Sequence, residues 1–303
     1  MSLLPPALRN MGFPYRAPST PRGVAPVPAP KRTGVDFETD WARRAPARLG
    51  RTVLHELVMG PVVRLAANPS VRGRDRLEGV EGPVIFVANH HSHVDTPLLL
   101  RSIPPRFADK VFVGAAADYF FGARLTGALS AFALNAIPIE RTRVSRRSAL
   151  SAAALIDDGW SMIIFPEGGR SPDGWGQPFR GGAAYLSVRC GAPVAPVHLA
   201  GTGAILGKGM RVPKPAATTV SFGELLWPAP EEDTRTLSAR IERAVAALAD
   251  EEATDWWQAR RRLHRGETPA LTGPQAPSWR RSWARSSKRS GPARRRRAWP
   301  QLS

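Results

Sequence analysis

Val84-Ile-Phe-Val-Ala-Asn-His-His-Ser-His-Val-Asp95 is an apolar run that ends in three histidines and an aspartate. Five successive apolar residues, Val84 to Ala88, predict a strand buried on both faces. The polar cluster falls at the strand's carboxyl end, where open α/β sheets hold their ligands. Three of the chain's six histidines lie within these four positions, 90–93. Chemistry is expected here.

Working outward, strand-like stretches recur at Lys110–Gly114, Ala136–Glu140, Met162–Phe165, Val194–Leu199 and Thr218–Gly223. Helical stretches separate them at about Pro97–Arg101, Tyr119–Ala133, Ser145–Asp158 and Gly182–Arg189. Strand alternating with helix predicts an α/β fold, a central sheet that is mostly parallel or mixed and flanked by helices. This domain is expected over residues 71–264, closed by an amphipathic helix carrying Leu237, Ile241, Val245 and Leu248 and a second with Trp256, Trp257 and Leu263.

Ahead of it, apolar residues recur at helical spacing through residues 46–70, from Leu49 to Leu65. Gly60-Pro61 is expected to break that pattern, giving an N-terminal helical hairpin or two short helices. The apolar side reads either as a cover for the sheet or as a ledge resting on a bilayer. Residues 1–45 are rich in proline and arginine, and residues 265–303 are basic, with arginine and tryptophan prominent. Neither end carries enough apolar surface to offset the entropy of ordering, so both termini are expected to be disordered.

The 303 residues carry a net charge of +18, which points to an anionic partner, either a lipid surface or nucleic acid. Residues 280–297 hold nine Lys/Arg and no acidic residue, interleaved with tryptophan. Such a tail suits anionic headgroups, with indole rings at the interface. The single cysteine, Cys190, excludes an intrachain disulfide and suggests a reducing compartment. Its apolar-patterned surroundings suggest helix packing rather than a nucleophile. The amino terminus has no secretory signal pattern, and no stretch of about 18 apolar residues predicts a spanning helix. Any membrane contact would be peripheral.

Within the cluster, histidine is the usual residue for removing a proton near neutral pH. A carboxylate on its other ring nitrogen fixes the tautomer and stabilises the imidazolium. His90 and Asp95 are five apart, which in a continuous helix places them about 140° apart, on different faces. They can meet only if His90 lies in a turn before the helix and Asp95 in its first turn. Pro97, tolerated only in a first turn, supports that arrangement. Two other readings compete. Asp95 could simply cap the helix, with the histidines as loop polar groups. His91, His93 and Asp95 could instead form a metal site, but the only histidines downstream are His198 and His264, so no metal is expected.

Asn89-His90-x-Ser92-x-x-Asp95 resembles the H-x4-D signature of the glycerolipid acyltransferases, the 1-acyl-glycerol-3-phosphate (lysophosphatidate) acyltransferase or PlsC-like family. Three further blocks follow in the family's order. Ala136-Ile-Pro-Ile-Glu-Arg141 resembles the second, Phe165-Pro-Glu-Gly-Gly-Arg-Ser171 the third (F-P-E-G-T-R-S), and Val194-Ala-Pro-Val197 the fourth. The resemblance covers roughly residues 75–225. Gly169 replaces the family's usual threonine, and Arg180 stands where lysine is frequent.

The resemblance implies an O-acyltransferase of phospholipid biosynthesis. It would move a fatty acyl group from an acyl thioester to the sn-2 hydroxyl of 1-acyl-glycerol-3-phosphate. His90 and Asp95 would be catalytic, and Arg141, Glu167, Gly168, Gly169, Arg170, Asn89 and Ser92 would hold the acceptor. No cofactor is implied, since acyl-coenzyme A or acyl carrier protein is a co-substrate. The expected partners are lysophospholipid, the thioester donor and an anionic membrane surface, with acyl carrier protein as one form of donor and no nucleic acid. The expected site of action is the cytoplasmic side of the cell membrane. A family member with another lysolipid, glycolipid or amino-lipid acceptor, and a non-enzymatic basic binding protein, remain the alternatives.

Overall fold

A computed structural model describes residues 34–141 and 146–289. Seven strands form one sheet: β1 (Pro69–Arg72), β2 (Ile85–Ala88), β3 (Val111–Ala116), β4 (Ala136–Ile139), β5 (Ser161–Ile164), β6 (Val194–Ala200) and β7 (Thr218–Phe222). Their order is β1-β7-β6-β2-β5-β3-β4. Only β6 and β7 pair antiparallel, so the sheet is mixed.

The helices are α1 (Ala45–Leu54), α2 (Gly60–Ala67), α3 (Asp95–Ser102), α4 (Pro105–Ala108), α5 (Ala117–Phe120), α6 (Arg124–Leu134), α7 (Arg146–Asp157), α8 (Gly182–Cys190), α9 (Gly203–Leu206), α10 (Thr234–Ala253), α11 (Trp256–Arg265) and α12 (Ser278–Arg289).

The central strand β2 explains why its sequence does not alternate. Phe86 and Ala88 face one layer with Val63, Ala67, Leu98 and Leu99, from α2 and α3. Ile85 and Val87 face the other with Ala152, Ile156, Leu186 and Ile241, from α7, α8 and α10. All four strand residues are fully buried, and each of the three large ones contributes roughly 1.5–3 kcal/mol by leaving water. From β2 the chain crosses toward β3 on one side, whereas β5 sends its chain across to β6 on the other. The loops after β2 and β5 therefore diverge and leave a crevice at the sheet's carboxyl edge.

Four features differ from the sequence reading. The expected hairpin at Gly60-Pro61 is instead one continuous helical run, α1 through a widened π turn (His55–Met59) into α2. Pro61 lacks the N–H that an α turn would use, and the wider turn absorbs that loss, with Gly60 N donating to His55 O. Strand β1 was not foreseen, because a four-residue edge strand that begins with proline and alternates half-buried with exposed carries little apolar signal. The helix expected over Tyr119–Ala133 breaks at Phe121-Gly122-Ala123, where Phe121 turns inward against Phe37 at 5.3 Å.

The order also reaches beyond both expected limits. Phe37, Thr39 and Ala42 pack onto the domain, and Arg51 Nη1 donates to Ala42 O at 3.0 Å. Residues 266–289, placed by composition in the disordered tail, include α12 and its docking segment. Expectations for residues 1–33 and 290–303 lie outside the described residues. Among the described residues no helix is long and apolar enough to cross a membrane.

Candidate active site

The strand β2 ends at Ala88, and the next six residues form the turn before α3 begins at Asp95. This puts His90 in the turn and Asp95 in the first turn, and the two side chains meet: His90 Nδ1 lies 2.8 Å from Asp95 Oδ2. Asp95 is fully buried. Its Oδ2 also accepts from the amides of His91 (2.6 Å) and Ser92 (2.7 Å). The carboxylate thus reaches back to shape the turn rather than capping its own helix. The imidazole stacks on Phe165 with centroids 4.3 Å apart and rings inclined by 22°. With Nδ1 directed to the carboxylate, Nε2 is the nitrogen placed to exchange a proton with a substrate.

The loop after β5 holds His90 by its backbone. Glu167 Oε1 accepts from His90 N at 2.8 Å and Oε2 from Gln177 N at 2.9 Å, while Ser171 N donates to His90 O at 2.9 Å. Glu167 is only 2% exposed, and burial pushes its carboxyl up to about 7 against the pull of those two amides. Gly168 adopts φ +72, and a Cβ there would sit 3.0 Å from the Arg180 guanidinium. The positive φ favours glycine, and with a Cβ there the guanidinium would have to give by a few tenths of an ångström. At Gly169 the nearest atom to an added Cβ is Arg141 Nη1 at 3.6 Å, an ordinary van der Waals contact.

A cationic rim surrounds this turn. Arg141 donates through Nε (3.2 Å) and Nη2 (2.7 Å) to Asp118 Oδ2, and through Nη1 to Gly168 O at 3.3 Å. The Arg180 guanidinium lies over Gly168, and Arg170 is close enough to depress the neighbouring imidazole of His93. Partial burial is the larger cause of that lowering. His93 stacks loosely on Tyr119, with centroids 6.0 Å apart.

Several sequence-assigned residues take other roles. Asn89 is 1% exposed, and its amide exchanges two bonds with the Leu199 backbone, extending the β2–β6 ladder by one side chain. Ser92 is fully buried, donates to Leu206 O and accepts from Val94 N. Both were expected to touch the acceptor, but each is instead committed to backbone. A short polar side chain beside a buried strand end serves the unpaired main-chain groups there first. Glu167 likewise binds backbone amides, those of His90 and Gln177. The rings of His91 and His93 meet different neighbours, Asn89 and Tyr119, and do not converge with Asp95 on one point. Phe165, Tyr119 and Gln177 were missed as site residues. Only their positions beside the quoted blocks could have flagged them.

Behind the loop lies a cavity of about 140 Å³ lined by Asn89, His91, Trp175, His198, Asp250 and Leu271, among others. His198 is enclosed there, and burial drives its imidazole down to about 3, so it is neutral.

The Acyltransferase family model matches residues 68–200. A chloroplastic 1-acyl-sn-glycerol-3-phosphate acyltransferase of Brassica napus is 31% identical over 144 residues, 46% of this chain and 39% of that one. A 1-acyl-sn-glycerol-3-phosphate acyltransferase of Chlamydomonas reinhardtii is 29% identical over 184 residues, 59% and 52% of the two chains. This chain therefore spans about half or less of the length of these relatives. The crystal structure of the 1-acyl-sn-glycerophosphate acyltransferase PlsC of Thermotoga maritima shares the fold, with a TM-score of 0.52, 23% identity, and coverage of 73% of this chain and 85% of that one. The matched region, residues 68–200, is similar to the Acyltransferase family and holds the paired His90 and Asp95 and the turn that carries Glu167.

Proposed function

We propose that the protein transfers a fatty acyl group from an acyl thioester to the sn-2 hydroxyl of 1-acyl-glycerol-3-phosphate. The observation that carries this reading is the 2.8 Å contact between His90 Nδ1 and the buried Asp95 carboxylate, which leaves the other nitrogen of a partly exposed ring for a substrate. His90 Nε2 takes the proton from the acceptor hydroxyl as its oxygen attacks the thioester carbonyl. Asp95 holds the resulting imidazolium. The tetrahedral intermediate then collapses, the carbon–sulfur bond breaks, and the leaving thiolate takes the proton back from Nε2. The attacking oxygen belongs to the substrate, so no acyl-enzyme is needed.

Arg141, Arg170 and Arg180 line the turn at Gly168-Gly169, and guanidinium forks suit phosphate oxygens. They support a phosphorylated acceptor over a neutral glycolipid. The donor would be acyl-coenzyme A or acyl carrier protein. An amphiphilic substrate places the work at a membrane surface, and the run α1–α2 exposes Leu49, Leu57 and Leu65 by 69%, 73% and 79%. That apolar stripe supports peripheral contact, on the cytoplasmic side, as the lone cysteine suggests.

The test is thiol release from palmitoyl- and oleoyl-coenzyme A with purified protein and a panel of acceptors. Release is expected with 1-acyl-glycerol-3-phosphate and not with its dephosphorylated form. Equal rates with both would move the reading to another acceptor, and no release with any lysolipid would end it.

A further inference from the structure

The segment that follows α11 lies wholly beyond the matched region, yet it is built into the support of His90. Leu271 O accepts from Gly176 N at 2.9 Å. Gly273, at φ +69, lies against the face of Trp175, where an added Cβ would be 2.3 Å from a ring carbon. Arg281 Nε donates to Asp173 Oδ2 at 2.7 Å, Arg281 Nη1 to Thr272 O and Pro274 O, and Trp175 Nε1 to Arg281 O. The Arg281 bond is the main reason the Asp173 carboxyl lies below its ordinary range. One residue past Gly176, Gln177 N holds Glu167, and Glu167 holds His90 N. Hydrogen bonds at both ends, joined by the main chain of residues 173–177, therefore link α12 to the backbone amide of His90.

The outward side of α12 has a different chemistry. Trp279 and Trp283, four residues apart and so on one face, are 65% and 69% exposed. Residues 278–289 contain five Lys/Arg and no acidic residue. Exposed indoles at one-turn spacing among cations suit the headgroup layer of an anionic bilayer, where the rings enter the interface and the cations meet lipid phosphates.

We propose that α12 is an anchor for an anionic lipid surface, strapped by Arg281 to the loop that positions His90. This rests on the acyl-transfer reading only for the second half, since the surface contact stands whatever the reaction. Arg281 is a positioning residue, because it reaches the imidazole only through Asp173, Gln177 and Glu167.

The test uses the full chain with sedimenting vesicles of phosphatidylcholine alone or mixed with phosphatidylglycerol. Trp279→Ser combined with Trp283→Ser is expected to weaken binding to the mixed vesicles by about tenfold or more, with little binding to phosphatidylcholine alone. His90→Ala should sediment as the parent does. Arg281→Gln should keep vesicle binding yet lower kcat several-fold on a short-chain acceptor below its micelle concentration. KM should not change, and Arg281→Lys should recover part of the loss. Unchanged vesicle binding in the double variant overturns the anchor. So does a DNA duplex that displaces the vesicles and depends on the same two tryptophans. An unchanged kcat in Arg281→Gln overturns the strap. If instead the parent releases no thiol while the tryptophan effect persists, the acyl-transfer reading has failed and the anchor has not.

Discussion

Oδ2 of Asp95 accepts from His90 Nδ1 and from the His91 and Ser92 amides, so one oxygen fixes both the imidazole and the turn that bears it. Asp95→Asn keeps the shape but offers a neutral acceptor. General-base catalysis typically contributes about 10²–10⁴-fold, and a fall in kcat of that order is expected with an unaltered circular dichroism spectrum. Retention of activity within tenfold would remove Asp95 from the mechanism. Glu167 gives a prediction of the opposite kind, in stability rather than rate. Its folded value near 7 lies above the ordinary 4.5, so between these limits the native state binds a proton that the unfolded chain does not. Stability is then full below pH 4.5 and falls as pH rises toward 7, by on the order of 3 kcal/mol for a shift of this size. Glu167→Gln should flatten that part of the urea-midpoint curve, and parallel curves for the two proteins would show that the carboxyl is not the cause.

The turn between β5 and α8 tests whether an element, rather than a residue, holds the site. Gly168→Ala must place a Cβ at φ +72 and 3.0 Å from Arg180. A cost of about 1–2 kcal/mol and a matching loss of kcat are expected, read by thermal melts and thiol release. Gly169→Ala places a Cβ that meets only Arg141 Nη1, at 3.6 Å, and should leave the melt unchanged. Equal destabilisation by both would mean that the turn is not held as described. Elements of this kind were unevenly legible. Strand β2 was plain because both its faces are buried, and Pro97 with helix geometry said how His90 and Asp95 could meet, while their pairing rested on the family resemblance. β1 was hidden because an edge strand needs few apolar residues. The backbone bonds of Asn89 and Ser92 were hidden because sequence shows a polar side chain beside a histidine but not the buried carbonyl it satisfies. The join of α1 to α2 was hidden for a related reason, since Pro61 announces a break and cannot show the π turn that absorbs it.

Across the whole molecule the charge of +18 is not spread evenly. Residues 266–303 carry nine Lys/Arg against the single acid Glu267, and so supply +8 of it. Four of those cations, Arg294 to Arg297, form an uninterrupted run of guanidinium charge after α12 in the sequence. Their contribution should therefore be electrostatic alone, whereas that of Trp279 and Trp283 should be largely apolar. Each cation near an anionic lipid surface adds about 1 kcal/mol, and the effect decays within a Debye length of about 8 Å at physiological salt. Replacing the four arginines with glutamine should weaken binding to phosphatidylglycerol vesicles at low salt and make its salt dependence shallower. The melting temperature and kcat on a soluble acceptor should stay where they were. Replacing the two tryptophans should lower binding at every salt concentration and leave the slope nearly as it was. A variant of the four arginines with an unchanged slope would show that the +18 resides, for this purpose, on the folded domain and not on the tail.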